Sequence, residues 1–140
     1  MDLKNAYDRW IGELWNGDLA VADELVTDDF LIHQARADGE PSEAQRGPAA
    51  LRALVEQGRA PFSAISFSVE AGPITEGPSV ACRWRAIGTY AGGIPGASAE
   101  PGTEITFGGI DLLRANADGR FAEYWVSSDG LSLMQQLGAI

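Results

Sequence analysis

The order of patterns along this chain constrains its fold more than any other feature: helix-period sequence comes first, and long alternating strands fill the rest. Leu3, Ala6, Tyr7, Trp10, Ile11, Leu14 and Trp15 recur at three- and four-residue steps, which places them on one helical face. Asp2 can cap the start of this helix, and Asn16-Gly17 stops it. Asp18 then opens a second, shorter helix through Leu19, Ala22, Leu25 and Val26, ended by Thr27-Asp28-Asp29. A short apolar strand, Phe30 to His33, follows, and Ala35 to Arg46 lacks any period and reads as a loop. Gly47-Pro48 begins a third helix, because proline is preorganised for the first helical position. Its buried stripe is Ala50, Leu51, Leu54 and Val55.

From there the period changes to two. Ile65, Phe67 and Val69 alternate with Ser66, Ser68 and Glu70. Val80 to Tyr90, Thr103 to Arg114 and Phe121 to Val126 read as further strands, and Gly108-Gly109 marks a bulge or a close approach. Gly77-Pro78 and Asn116-Ala117-Asp118-Gly119 supply turns. Ala91 to Gly102 is rich in Gly, Pro, Ala and Ser and is expected to be a mobile rim loop, while Asp129 to Leu137 forms a short closing helix. Helices followed by a meander of strands predict an α+β fold, with three helices from the first half packed on one face of a curved antiparallel sheet. The strands carry more apolar residues than one covered face requires, so the sheet is expected to enclose a cavity.

The length of 140 residues fits one domain spanning 1–140. Twenty acidic residues against 10 basic ones give a formal charge of -10, a field that repels phosphate backbones and anionic lipid surfaces. Nucleic acid and membrane are therefore not expected partners. The single cysteine, Cys82, cannot form an internal disulfide and offers no zinc-type spacing, so a reducing cytoplasm is the simplest setting. Met1 to Asp8 is polar and carries no signal core.

No G-x-S-x-G elbow, phosphate-binding loop or dinucleotide fingerprint is present. One histidine and scattered carboxylates make no metal site, and no cofactor is expected. The remaining candidates are ionisable groups among apolar strand residues. Asp111 sits within Gly109-Ile110-Asp111-Leu112-Leu113, where burial would raise its pKa into a useful range for proton transfer. Its alternative places are a solvated strand face or an ion pair with an arginine. Arg83 and Arg85 flank Trp84, so alternation puts the arginines on one face and Trp84 on the other. An inward arginine would need Asp111 or Glu104 as a partner and could stabilise an oxyanion. His33, the one histidine, is either a pocket group or a structural one. Asp129 is either a second proton-handling group or the N-cap of the last helix.

Taken in order, these pieces resemble the SnoaL-like polyketide cyclases of the nuclear-transport-factor-2-like superfamily. The resemblance runs from Trp15-Asn16-Gly17-Asp18 through Asp28-Asp29-Phe30, His33, Gly47-Pro48 and Gly88-Thr89-Tyr90-Ala91-Gly92. Its most specific part is Gly109-Ile110-Asp111-Leu112-Leu113-Arg114, then Asp118-Gly119-Arg120, Glu123-Tyr124-Trp125, Asp129 and Gln136-Leu137-Gly138. It implies a cone-shaped sheet lined by helices, an interior site, a homodimer or larger assembly, and ring closure by an intramolecular aldol-type reaction without a cofactor. The resemblance aligns Val126 with the family's catalytic aspartate and Tyr90 with a frequent histidine. Valine cannot move a proton, which leaves Asp111, Asp129 and His33 as acid–base candidates.

The expected activity is cyclisation, rearrangement or isomerisation of a hydrophobic natural-product intermediate by general acid–base catalysis. Asp111 would be the main acid or base, with Asp129 or His33 second and Arg83 orienting a carboxylate or stabilising negative charge. Trp15, Leu51, Phe62, Trp84, Tyr90 and Trp125 are the expected pocket walls. Two rival readings use the same residues: epoxide opening by Asp111, Asp129 and Arg83, and binding of a small molecule without chemistry.

Overall fold

The computed structural model describes residues 2–34 and 46–140. The predicted loop from Ala35 to Arg46 therefore lies outside them, except that Arg46 bridges to Leu31. The first helix changes character part-way. An α-helix over Leu3–Arg9 (α1), with Asp2 accepting the Asn5 N–H at its start, runs into a π-helical stretch over Trp10–Leu14. The wider turn closes with the Trp15 N–H donating to the Trp10 carbonyl. Asn16 secures the end. Its side-chain amide donates to the Phe67 carbonyl and accepts the Phe67 N–H, fixing this segment to the sheet.

The second helix is shorter than its pattern predicts. A single 3₁₀ turn at Leu19–Val21 leads into four α-helical residues, Ala22–Leu25 (α2), and the first strand already begins at Val26 (β1, Val26–His33). β-branched Val26 and Thr27 suit the extended chain, and both are buried there. The third helix, α3 at Gly47–Arg59, has Pro48 in its first turn and buries Leu51 and Val55. Arg59 at its end donates to the Trp15 and Ile65 carbonyls, tying three elements together.

Four long strands follow: β2 (Phe62–Glu76), β3 (Ser79–Tyr90), β4 (Glu104–Ala115) and β5 (Phe121–Ser128). They make a five-stranded sheet in the order β1-β5-β4-β3-β2. The sheet is mixed rather than wholly antiparallel, because β1 runs parallel to β5 while every other pair is antiparallel. The α3 connection between β1 and β2 lets the chain cross the sheet and place its first strand beside its last. The closing helix, α4 at Gly130–Leu137, ends on Gly138 in the left-handed region.

The helices cover one face. Trp10 sits at its centre, edge-on to Phe30, Phe121 and Tyr124 at centroid distances of 6.1, 5.8 and 4.9 Å. The opposite face of the central strands is bare and carries Ile87, Ile110 and Leu112 into solvent. A second small core of Tyr90, Ile105 and Leu137 joins the rim loop to α4. That loop is held in place, since Ser98 and Ala99 both donate N–H to the Leu137 carbonyl. No described helix is long and apolar enough to cross a membrane.

Candidate functional site

Between the helices and the inner sheet face lies a cavity of about 440 Å³. Each side contributes by local periodicity. Ile11 and Trp15, four residues apart on the π-helical stretch and the turn that follows it, line it from one side, and Leu54 and Gly58 line it from α3. Inward positions of the strands supply Phe67, Trp84, Phe107, Asp111, Tyr124 and Val126. Ile94 of the rim loop and Leu133 and Met134 of α4 complete the wall.

Asp111 is the chemical centre. It is 1% exposed, and its carboxylate accepts four hydrogen bonds. Tyr7 Oη and Trp10 Nε1 donate to Oδ2 at 2.8 and 3.2 Å. Trp84 Nε1 and Tyr124 Oη donate to Oδ1 at 3.0 and 2.9 Å. Each oxygen thus holds one indole and one phenol. Burial disfavours the charged form more than the four donors favour it, so the Asp111 pKa is pushed up to about 6. Burial beside Asp111 also pushes the Tyr7 and Tyr124 hydroxyls well above their ordinary range, so both stay protonated at neutral pH. The arginine pair weighed for Asp111 does not form, because its partners are neutral donors.

Gly108-Gly109 explains how Trp84 reaches Asp111. The register through this pair is regular, so there is no bulge. There is instead a close approach on both faces. A β-carbon on Gly109 would lie 2.4 Å from Trp84 Cζ2, and one on Gly108 would lie 2.7 Å from Arg83 Nη2. The indole packs against the inner face and the guanidinium against the outer one.

Arg83 therefore points away from the cavity, correcting the inward placement considered from sequence. Its Nε donates to Glu70 and its Nη2 to Asp129, both at 2.9 Å. These pairings raise the Arg83 pKa, and the guanidinium holds the Asp129 carboxyl below its usual range. Asp129 occupies the N-cap position of α4, but its carboxylate serves Arg83 rather than the helix. His33 also faces outward. Its Nε2 lies 2.7 Å from Glu123, which pairs with Arg114 as well, and its ring stacks on Trp125 at 4.8 Å. Glu104 is exposed on the outer side of β4.

Of the expected pocket walls, Trp15, Phe62 and Trp84 line the cavity. Leu51 does not, being fully buried in the core from the inner face of α3. Tyr90 is turned into the second core, where its hydroxyl accepts the Ile94 N–H. Trp125 lies outside because β5 alternates Tyr124 and Val126 inward. The sequence pattern places Tyr7 and Trp10 on the face of the first helix and Tyr124 within the family resemblance, without a role for any of them at Asp111. The signal was a set of polar-tipped aromatics at inward positions, each needing an acceptor once buried.

Among the described residues, no three His, Cys, Asp or Glu side chains gather in a way that could hold a metal ion. Comparison with curated proteins gives no match. Among solved structures, IdmH from Streptomyces antibioticus is similar at 26% identity and a TM-score of 0.82, covering 99% of each chain. TsrD from Streptomyces laurentii, at 23% identity and a TM-score of 0.80, covers 100% of this chain and 99% of that one. AclR from Streptomyces galilaeus, at 20% identity and a TM-score of 0.74, covers 99% of each. The last two likenesses show the fold alone. The family model for SnoaL-like polyketide cyclases matches residues 5–137, nearly the whole length, and this chain belongs to that family.

Proposed function

We propose that the protein is a cofactor-free enzyme that cyclises or isomerises a hydrophobic, polyketide-like intermediate, with Asp111 as its proton-handling group. The observation that carries this reading is a carboxylate buried in the wall of an apolar cavity, where burial pushes its pKa up to about 6. Val126, aligned with the family aspartate, is the register partner of Asp111 and lines the same cavity. Asp111 therefore offers a carboxylate one strand over from the family position. Trp15 adds a donor: its buried Nε1–H finds no acceptor among the described residues. An unmet buried donor costs about 1–3 kcal/mol. A carbonyl oxygen on the guest would relieve it.

Incubation with a hydrophobic β-keto substrate in oxygen-18 water is expected to give a product of unchanged mass, with no label beyond the carbonyl exchange of an enzyme-free control. The rate should rise with pH through about 6 and level above, because Asp111 must be ionised to accept a proton. A rate that is flat across that range would exclude Asp111 as the base. Label beyond that exchange would favour epoxide opening, but the three residues proposed for that reaction are divided between the two sheet faces. Tight binding with no chemical change would favour the binding-protein reading.

The bare sheet face supports the expected homodimer. Ile87, Ile110 and Leu112 are 42%, 52% and 41% exposed there, an apolar patch of the kind that marks an interface. Sedimentation at micromolar concentration should give twice the 14.9 kDa chain mass. Ile110→Lys with Leu112→Lys should give the single-chain mass without loss of fold. A wild-type protein that sediments as a monomer would remove the dimer.

A further inference from the structure

We infer that Tyr124 is the group that exchanges a proton with the bound molecule, with Asp111 behind it as the proton reservoir. This inference rests on the acid–base reading of the cavity and names the atom through which it operates.

The hydrogen-bond count around Asp111 leads to it. An ionised carboxylate offers about four acceptor positions. Here four donors take them, two on each oxygen. A guest cannot reach a free lone pair of Asp111 without displacing one of those donors. Proton transfer then has to pass through a donor that can also accept. Indole N–H groups cannot accept, which removes Trp10 and Trp84. Both phenols are fully buried, but Tyr7 is absent from the cavity wall. Tyr124 lines the cavity and its hydroxyl is 2.9 Å from Asp111 Oδ1.

The step balances without any further reactant. The guest's proton bonds to Tyr124 Oη as the existing Oη–H proton moves to Asp111 Oδ1, and the electron pair of the broken bond stays on the guest. Tyr124 ends neutral, Asp111 ends protonated, and the Asp111 O–H now donates to Oη. Reversal of the same movements returns a proton to the product at another position, which is what an isomerisation or ring closure requires. The phenol never needs to exist as a free phenolate, consistent with burial pushing its pKa up.

The test uses the full chain and a small aromatic carbon acid, 5-nitro-1,2-benzisoxazole. Base removes its ring C–H proton, the C–H electron pair forms the nitrile, and the N–O bond breaks to give a coloured nitrophenolate. The wild type is expected to exceed acetate, mole for mole, by about 100-fold or more. Asp111→Asn should abolish that excess. Tyr124→Phe should lose about 100-fold, and Tyr7→Phe, which removes the same kind of hydrogen bond from the same carboxylate, only about fivefold. On the wild type alone, the relay moves an exchangeable O–H proton in the step, so turnover in heavy water should show a normal solvent isotope effect. Direct transfer from carbon to Asp111 would show none.

A loss in Tyr124→Phe no greater than that in Tyr7→Phe, or no solvent isotope effect, would overturn the relay while leaving Asp111 as the base. Full activity in Asp111→Asn, or no wild-type acceleration, would overturn the acid–base reading and the relay with it. Thermal unfolding of each variant separates loss of chemistry from loss of fold.

Discussion

Asp111→Asn is expected to cut turnover by about 10³-fold while the protein remains folded at neutral pH. The loss follows from removing the one carboxylate among the described cavity residues. The stability effect has a shape that only this cage predicts. Asparagine has one acceptor oxygen and one donor NH₂, and either orientation sets the NH₂ against an indole N–H, Trp10 in one case and Trp84 in the other. That mismatch costs about 1–3 kcal/mol at any pH.

The wild type carries a cost that depends on pH. The Asp111 pKa is raised in the folded state, so the folded protein holds this proton more tightly than the unfolded chain does. Its contribution is therefore fully present below about pH 4 and is lost as pH rises through about 6. The loss is on the order of 3 kcal/mol. Wild type should thus be more stable than Asp111→Asn at pH 4, and a shift of about that size should close or reverse the gap by pH 7. Denaturant titrations at the two pH values measure it. A gap that stays constant would mean that Asp111 is not held near neutral pKa in the folded protein.

The second large effect belongs to a residue with no side chain. Gly109→Ala places a methyl group 2.4 Å from Trp84 Cζ2 and 2.8 Å from the Ser127 carbonyl oxygen. The carbonyl belongs to the paired strand and cannot swing away, so the indole has to move. Overpacking of this kind costs about 1–3 kcal/mol, and the Trp84 hydrogen bond to Asp111 is lost with it. With one donor fewer, the ionised form is less favoured, so the midpoint of the pH–rate profile should rise above about 6.

Gly108→Ala is the control. It would crowd Arg83 Nη2 and the Trp84 carbonyl, on the face away from the cavity. It should destabilise comparably and leave the midpoint where it is. If both variants shift the midpoint equally, Trp84 does not tune Asp111.

Much of the architecture is legible in the sequence because it depends on neighbours along the chain. The period of Leu3 to Trp15 places a helix there, Gly47-Pro48 starts α3, and the alternation from Ile65 onward gives the long strands. Competition between local preferences escaped it: Val26 has the right spacing for a helix face, yet its β-branched side chain begins β1. That Asp111 could be buried was also foreseeable, as a carboxylate inside an apolar run, with a solvated strand face as the alternative. The fate of the other three candidates was not, because strand alternation gives two faces without saying which is inner. His33 and Arg83 fall outside, and the Asp129 carboxylate joins Arg83 there, because Ile32, Trp84 and Tyr124 are the residues that the helices cover.

Local sequence determined that this chain makes helices, then a meander of strands, and it set one carboxylate, Asp111, within an apolar run. Tertiary structure alone decided what that carboxylate meets. Tyr7 and Trp10 lie over 100 residues from Asp111 in the chain, and Trp84 lies 27 away. A hydrogen bond needs its atoms within about 3 Å, and only the folded sheet with its helices in place brings four such donors to one side chain.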